Sequence, residues 1–342
     1  MRKKFATGGK GGLWIPTDAV GFYNRGIAYA GGGAYELAIA DYTQAISLKP
    51  DYANAYLNRG NAYYYEEDYD RAIADYTQVL ALKPDNELAY NNRGRVYAAK
   101  GEHDQAIADY TQSIALKPDY AGAYSNRGNT YMDTYDRDSA IADYTQAVKI
   151  NPKFMEAYYS RGNAYAEKGE HDRAIDDFNR VLSISPGNAR AYFKLGNAYF
   201  DKEDYDRALQ EYTKAISVAP HYGDAYTNRG GVYSMQQKHD NAIADYNMAL
   251  SLNPDEAITY FKRGITYCDK GKYDRAITDF TQAILLKPDY ASAYCNRGIA
   301  LCRQENYDSA CADWKQTLRL DPGNIIAKDW LDLLSGKPII IG

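Results

Sequence analysis

The stretch DYANAYLNRGNAYYYEEDYDRAIADYTQVLALKP, residues 51–84, decides the fold. Tyr56, Gly60 and Tyr63 stand at i, i+4 and i+7, which puts them on one face of a helix. Ala72, Tyr76 and Leu80 follow at helical spacing and mark a second helix. Between the two, Glu67-Asp68 makes the turn, and other copies of the pattern carry Gly33, Gly101, Gly169 and Gly271 at the Glu67 place. Glycine there ends the first helix at little steric cost. The second helix must stop near Lys83-Pro84, because a residue that precedes proline avoids the α region. Asp51, Asp85, Asp119, Asp255 and Asp289 each follow a proline and are expected to cap the next helix.

Outward from this stretch the pattern recurs at a fixed period of 34 residues, marked by Pro16, Pro50, Pro84, Pro118, Pro152, Pro186, Pro220, Pro254, Pro288 and Pro322. A period of this size means a repeat array in which each unit packs only on its neighbours. Nine units are expected, at 17–50, 51–84, 85–118, 119–152, 153–186, 187–220, 221–254, 255–288 and 289–322. Residues 1–16 read as a flexible N-terminal tail. Residues 323–336, with Ile326, Trp330, Leu331 and Leu334 on one stripe, read as a capping helix, and 337–342 as an apolar tail.

Composition narrows the function. The formal net charge of −5 offers no basic excess for a phosphate backbone, so nucleic acid is not an expected partner. No apolar run reaches the roughly 20 residues of a membrane span. Arg2, Lys3 and Lys4 are followed by Gly8, Gly9, Gly11 and Gly12 where a secretion signal needs an apolar stretch. Four cysteines in a long chain do not make a disulfide framework, and a reducing cytoplasm is the expectation unless a leader has been lost.

The aromatic–Gly–Tyr–Ala–aromatic–Pro order of Tyr56, Gly60, Tyr63, Ala72, Tyr76 and Pro84 recurs as Tyr90, Gly94, Tyr97, Ala106, Tyr110 and Pro118. It strongly resembles the tetratricopeptide repeat (TPR) family. The resemblance implies an all-α, right-handed superhelical solenoid of nine helix–turn–helix units. It also implies a concave wall built mainly from the first helix of each pair.

One departure from the family is systematic. Where the family has Leu before the Gly, this chain has Arg25, Arg59, Arg93, Arg127, Arg161, Arg229, Arg263 and Arg297. Sixteen residues on stand Asp41, Asp75, Asp109, Asp143, Asp177, Asp245, Asp279 and Asp313. A hairpin turn near residue 67 brings Arg59 and Asp75 level, so a recurring ion pair inside each unit is expected. In the odd unit Leu195 faces Glu211, and both columns change together. If exposed, such pairs would add only about 0–1 kcal/mol each.

The resemblance places the residue before the Arg and the residue two after it on the concave wall. The first column holds Asn24, Asn58, Asn92, Asn126, Ser160, Lys194, Asn228, Lys262 and Asn296; the second includes Asn61, Asn129, Asn163 and Asn197. An amide offers donor and acceptor together and can satisfy a peptide unit whatever its side chain. The competing reading is a solvated surface choice copied by duplication. Units six to eight break the pattern with Lys194 and Lys262, joined by Arg190, Phe193, Phe200 and Phe261. Cations, amides and aromatics together suit a peptide anchor. Related TPR modules clamp a C-terminal carboxylate with Lys, Arg and Asn, a set that Asn197, Asn228 and Lys262 match in part, with Phe193 standing where the clamp has its first Lys.

Other candidates carry no chemistry. His103, His171 and His239 replace a packing tyrosine, two units apart, and do not converge as metal ligands. Cys268, Cys295, Cys302 and Cys311 have no CxxC spacing and no histidine partner. The Gly8–Gly12 segment lacks phosphate-loop spacing. No cofactor, metal or catalytic residue is expected. The expected function is a protein-interaction scaffold that binds an extended peptide or a partner's tail. The alternatives are a homo-oligomeric assembly module and a recruitment array of a larger enzyme.

Overall fold

The computed structural model describes residues 16–334. The expected N-terminal tail with its glycine segment, and the expected tail at 337–342, lie outside the described residues, save for Pro16. Among the described residues the regular structure is helical, with no strand. The chain divides into two compact units between Ala164 and Tyr165. The first contains α1 (Ala19–Gly31), α2 (Tyr35–Leu48), α3 (Ala53–Tyr65), α4 (Tyr69–Leu82), α5 (Glu87–Ala99), α6 (His103–Leu116), α7 (Ala121–Asp133), α8 (Arg137–Ile150) and most of α9 (Met155–Glu167). The second contains α10 (His171–Ile184), α11 (Ala189–Asp201), α12 (Tyr205–Val218), α13 (Gly223–Met235), α14 (His239–Leu252), α15 (Ala257–Asp269), α16 (Tyr273–Leu286), α17 (Ala291–Arg303), α18 (Tyr307–Leu320) and α19 (Ile325–Leu334). Within each unit successive helices pack as hairpins, and each hairpin packs on the next. No helix among the described residues is long and apolar enough to cross a membrane.

The turns follow the expected chemistry at one end and depart from it at the other. Inside the hairpins Gly33, Gly101, Gly169 and Gly271 take positive φ, between 67° and 77°. Glu67, Tyr135, Glu203, Gln237 and Glu305 hold the same left-handed conformation without glycine's freedom. The aspartates after the prolines do not cap the following helices. Pro50 and Asp51 are used up in a turn closed by Tyr52 N–H on the Lys49 carbonyl at 3.1 Å, so Tyr52 becomes the N-cap and has no side-chain cap bond. Side-chain caps sit elsewhere: Asn86 and Asn188 begin α5 and α11, and Asp68, Asp136 and Asp204 begin second helices.

Seven of the hairpins are closed by a two-pronged arginine–aspartate pair. Arg59 donates from Nε and Nη2 to the two carboxylate oxygens of Asp75, both at 2.8 Å. The same two-pronged pair joins Arg25–Asp41, Arg93–Asp109 and Arg127–Asp143 in the first unit, and Arg229–Asp245, Arg263–Asp279 and Arg297–Asp313 in the second. These aspartates are only 3–7% exposed, so the pairs are not the solvated ones worth almost nothing. The guanidinium of Arg59 also lies 5.5 Å from the Tyr56 ring centroid and 5.8 Å from that of Tyr63. Its remaining nitrogen reaches Thr43 of the preceding hairpin at 3.0 Å. Arg93, Arg127, Arg229 and Arg297 repeat that bond on Thr77, Thr111, Thr213 and Thr281, and Arg263 makes it to Asn247. At the odd hairpin Glu211 turns to Lys214 at 2.7 Å, and its buried Oε2 has no partner among the described residues.

Packing explains the glycine at the centre of each first helix. A Cβ on Gly94 would sit 2.9 Å from Tyr110 Cε1 and 3.2 Å from the Ala106 carbonyl oxygen. Tyr110 is 1% exposed and has nowhere to go. At the far end Trp330 of α19 stacks on the buried Trp314 of α18, centroids 5.3 Å apart. Gly94→Ala is predicted to overpack its hairpin and cost about 1–3 kcal/mol. Urea denaturation measures it; an unchanged midpoint would show that α5 and α6 can spread freely.

Candidate functional site

The second residue column behaves as a hydrogen-bond ladder before it meets any ligand. In the first unit Asn61 Oδ1 accepts from Tyr76 Oη at 2.7 Å and from Asn92 Nδ2 at 2.9 Å. Asn129 accepts from Tyr144 Oη at 2.7 Å. Asn58 donates to Tyr23 Oη at 3.1 Å, and Asn126 donates to the buried Asn91 at 2.9 Å. Asn24 is exposed, and Asn163 Oδ1 is buried with no partner among the described residues. Fifteen residues beyond Asn163 stands Phe178, where the other ladder members have Tyr76, Tyr144 and Tyr212. In the second unit Asn296 turns back to its own helix, donating to the Ser292 carbonyl at 2.8 Å. The amide oxygens are thus largely committed to the scaffold. Nδ2 of Asn61 and of Asn197 donates to nothing among the described residues.

Of the residues singled out in units six to eight, the structure brings four together. Asn197, Phe200, Asn228 and Lys262 line one cavity of about 470 Å³ in the second unit. Asn197 Oδ1 accepts from Tyr212 Oη at 2.7 Å and from Asn228 Nδ2 at 3.0 Å, and Lys262 Nζ extends the chain to Asn228 Oδ1 at 3.5 Å. The other walls are Asp201, Gly231, Ser234, Met235, Tyr246 and Ile265. Lys262 makes no ion pair among the described residues, and burial pushes its ammonium below the usual lysine range.

The remaining candidates lie elsewhere. Phe193 packs between Tyr212 and Tyr222, centroids 5.8 and 5.0 Å away, and Phe261 packs between Phe280 and Tyr290 at 5.9 and 4.9 Å. Both join hairpins instead of lining the cavity, as Tyr23 does between Tyr42 and Tyr52 in the first unit. The physical reason is their column, which faces the tyrosine at the start of the next hairpin. Arg190 lines a separate cleft with Asn188, His221 and Tyr222. Lys194 is half-buried and is not a wall of the cavity. Burial pushes the Cys268 and Cys295 thiols up to about 11, which suits packing and not thiolate chemistry.

The residue that makes the cavity is Gly231, absent from the expected site. It stands in the column of Asn61, Asn129, Asn163 and Asn197, and its missing side chain leaves the space open. A Cβ built there would lie 3.9 Å from both Lys262 Nζ and Tyr246 Oη and would meet nothing closer. Tyr246 thereby lacks the amide acceptor that Tyr212 has in Asn197. The signal was a gap in a column, visible in the sequence only to a search for missing side chains. Arg95 fills the same column in the first unit, its guanidinium 4.7 Å from the Tyr64 ring centroid.

Comparison with known proteins identifies the array. Models described as TPR repeat match residues 26–65, 60–101, 94–134, 137–169, 162–202 and 264–304. Models described as tetratricopeptide repeat match 193–257, 246–278 and 291–324. The chain belongs to the tetratricopeptide repeat family. No curated protein matches it. Among solved structures, a TPR protein from Parabacteroides merdae is 21% identical with a TM-score of 0.56, covering 73% of this chain and 98% of its own. The APC/C hetero-tetramer Cut9-Hcn1 is 17% identical with a TM-score of 0.57, covering 92% of this chain and 76% of its own. YrrB, described as a TPR protein with an unusual peptide-binding site, is 27% identical over 54% of this chain and 95% of its own, with a TM-score of 0.47. The first two likenesses establish the TPR fold alone.

Gly231→Asn is predicted to insert an amide where the TPR ladder has one elsewhere and to accept from Tyr246 Oη. Stability should hold or rise by about 1 kcal/mol, because a helical glycine is replaced and a hydrogen bond gained. Thermal melting checks this; a clear fall in the melting temperature would show that the space at 231 is not free.

Proposed function

We propose that this TPR array is a non-catalytic protein–protein interaction scaffold. It holds an extended peptide or a partner's tail across α11, α13 and α15, with the Gly231 cavity as its anchor. The observation that supports this reading most is the cavity itself. It occurs where the repeat gives up its own consensus, and it gathers an amide ladder, an unpaired cation and the apolar walls Phe200, Met235 and Ile265. A desolvated ammonium with no carboxylate partner gains from an anion, so an acidic side chain or a terminal carboxylate is the favoured anchor group. The free Nδ2 of Asn197 offers a donor to a peptide carbonyl.

Affinity capture with the wild-type chain beside Lys262→Ala tests the reading. Removing one charged hydrogen bond should cost roughly 1.5–3 kcal/mol, about a tenfold or greater loss of the captured partner. Added salt should weaken capture further, since a solvent-open site is screened. A partner that binds both chains equally, or that binds residues 17–152 alone, would contradict the assignment.

A further inference from the structure

Lys262 and Lys194 occupy the same column two repeats apart, yet only Lys262 opens into a cavity. Around it the structure supplies three things an amine nucleophile needs. The first is room: with no side chain on Gly231, the nearest atoms to that position are Lys262 Nζ and Tyr246 Oη, each 3.9 Å away. The second is a loosely held proton: Asp201 lines the same cavity but makes no ion pair with Lys262 among the described residues, and the one hydrogen bond of Lys262, to Asn228 Oδ1, is a long 3.5 Å. The third is a neutral hydroxyl able to donate a hydrogen bond to an aldehyde oxygen, because burial raises Tyr246 well above the ordinary tyrosine range. Phe200, Met235 and Ile265 form the apolar walls, with Asp201 and Ser234 among the polar ones.

We propose that Lys262 is a covalent modification site whose amine captures a small aromatic aldehyde inside the Gly231 cavity. The ammonium first gives its proton to solvent. The Nζ lone pair then adds to the aldehyde carbon, forming the C–N bond, while the carbonyl oxygen takes up a proton to give a carbinolamine. Solvent protonates that hydroxyl, which leaves as water, and the nitrogen releases its remaining proton to solvent, leaving the C=N bond of an imine. One amine and one aldehyde give one imine and one water, with no oxidant or reductant consumed. Burial contributes in the same direction, since it disfavours the charged amine.

The test uses benzaldehyde on the full chain at neutral pH, trapping the imine with cyanoborohydride and mapping adducts by peptide mass spectrometry. Lys262 is expected to be labelled first and several-fold faster than Lys194, because the cavity holds the aldehyde beside Lys262 Nζ and not beside Lys194. In Gly231→Asn the cavity is filled, and the Lys262 rate should fall to that of Lys194. Labelling spread evenly over the lysines in the wild-type chain would overturn the proposal. So would a Lys262 rate unchanged by Gly231→Asn in a chain that melts like wild type.

Discussion

The structure depends on a buried, two-pronged ion pair between the paired helices of nearly every hairpin described. Removing a guanidinium and a carboxylate from water is expensive, and the cost is recovered only with good geometry and every donor satisfied. Here two nitrogens of Arg59 meet both oxygens of Asp75, flanking tyrosine rings cover the guanidinium, and the last nitrogen reaches Thr43 in the hairpin before. A single side chain therefore sets the register of its own hairpin and ties it to a neighbour. Where Leu195 replaces the arginine, the carboxylate of the facing column is retained as Glu211 and needs another cation. At that hairpin the carboxylate turns to Lys214 and leaves one oxygen unserved.

The fold was legible because its causes are local and repeated. Proline, turn glycine and the spacing of Tyr56, Gly60 and Tyr63 each act within a few residues, and nine copies expose them. The ion pair was legible from the level of two residues across a turn, but its burial was not, since burial depends on the rings around it. The aspartates after the prolines misled because a two-residue turn intervenes before the helix, a matter of backbone geometry that composition does not reveal. Phe193 and Phe261 lie outside the cavity for a reason of the same kind: column position says which face a side chain leaves from, not whether the next hairpin meets it.

The candidate site shows the same division. Asn197, Asn228 and Lys262 were found by their type and column, and the structure joins them in one hydrogen-bonded chain around a cavity. What the sequence concealed is the direction of those bonds. The oxygens of Asn61 and Asn197 each accept from a tyrosine hydroxyl and from a neighbouring asparagine, so they serve the scaffold. The cavity owes its existence to Gly231, a side chain that is missing.

The central claim is that, in the hairpins that carry it, the arginine–aspartate pair acts as a coupled unit in which each charge depends on the other. A double-mutant cycle on Arg127 and Asp143 by chemical denaturation tests it most directly. Arg127→Leu or Asp143→Leu alone should each destabilise the chain by about 3–5 kcal/mol, because either leaves a buried charge behind. The double leucine variant should recover most of that loss, since two apolar side chains carry no such charge. Additive losses with no coupling between the two positions would contradict the account.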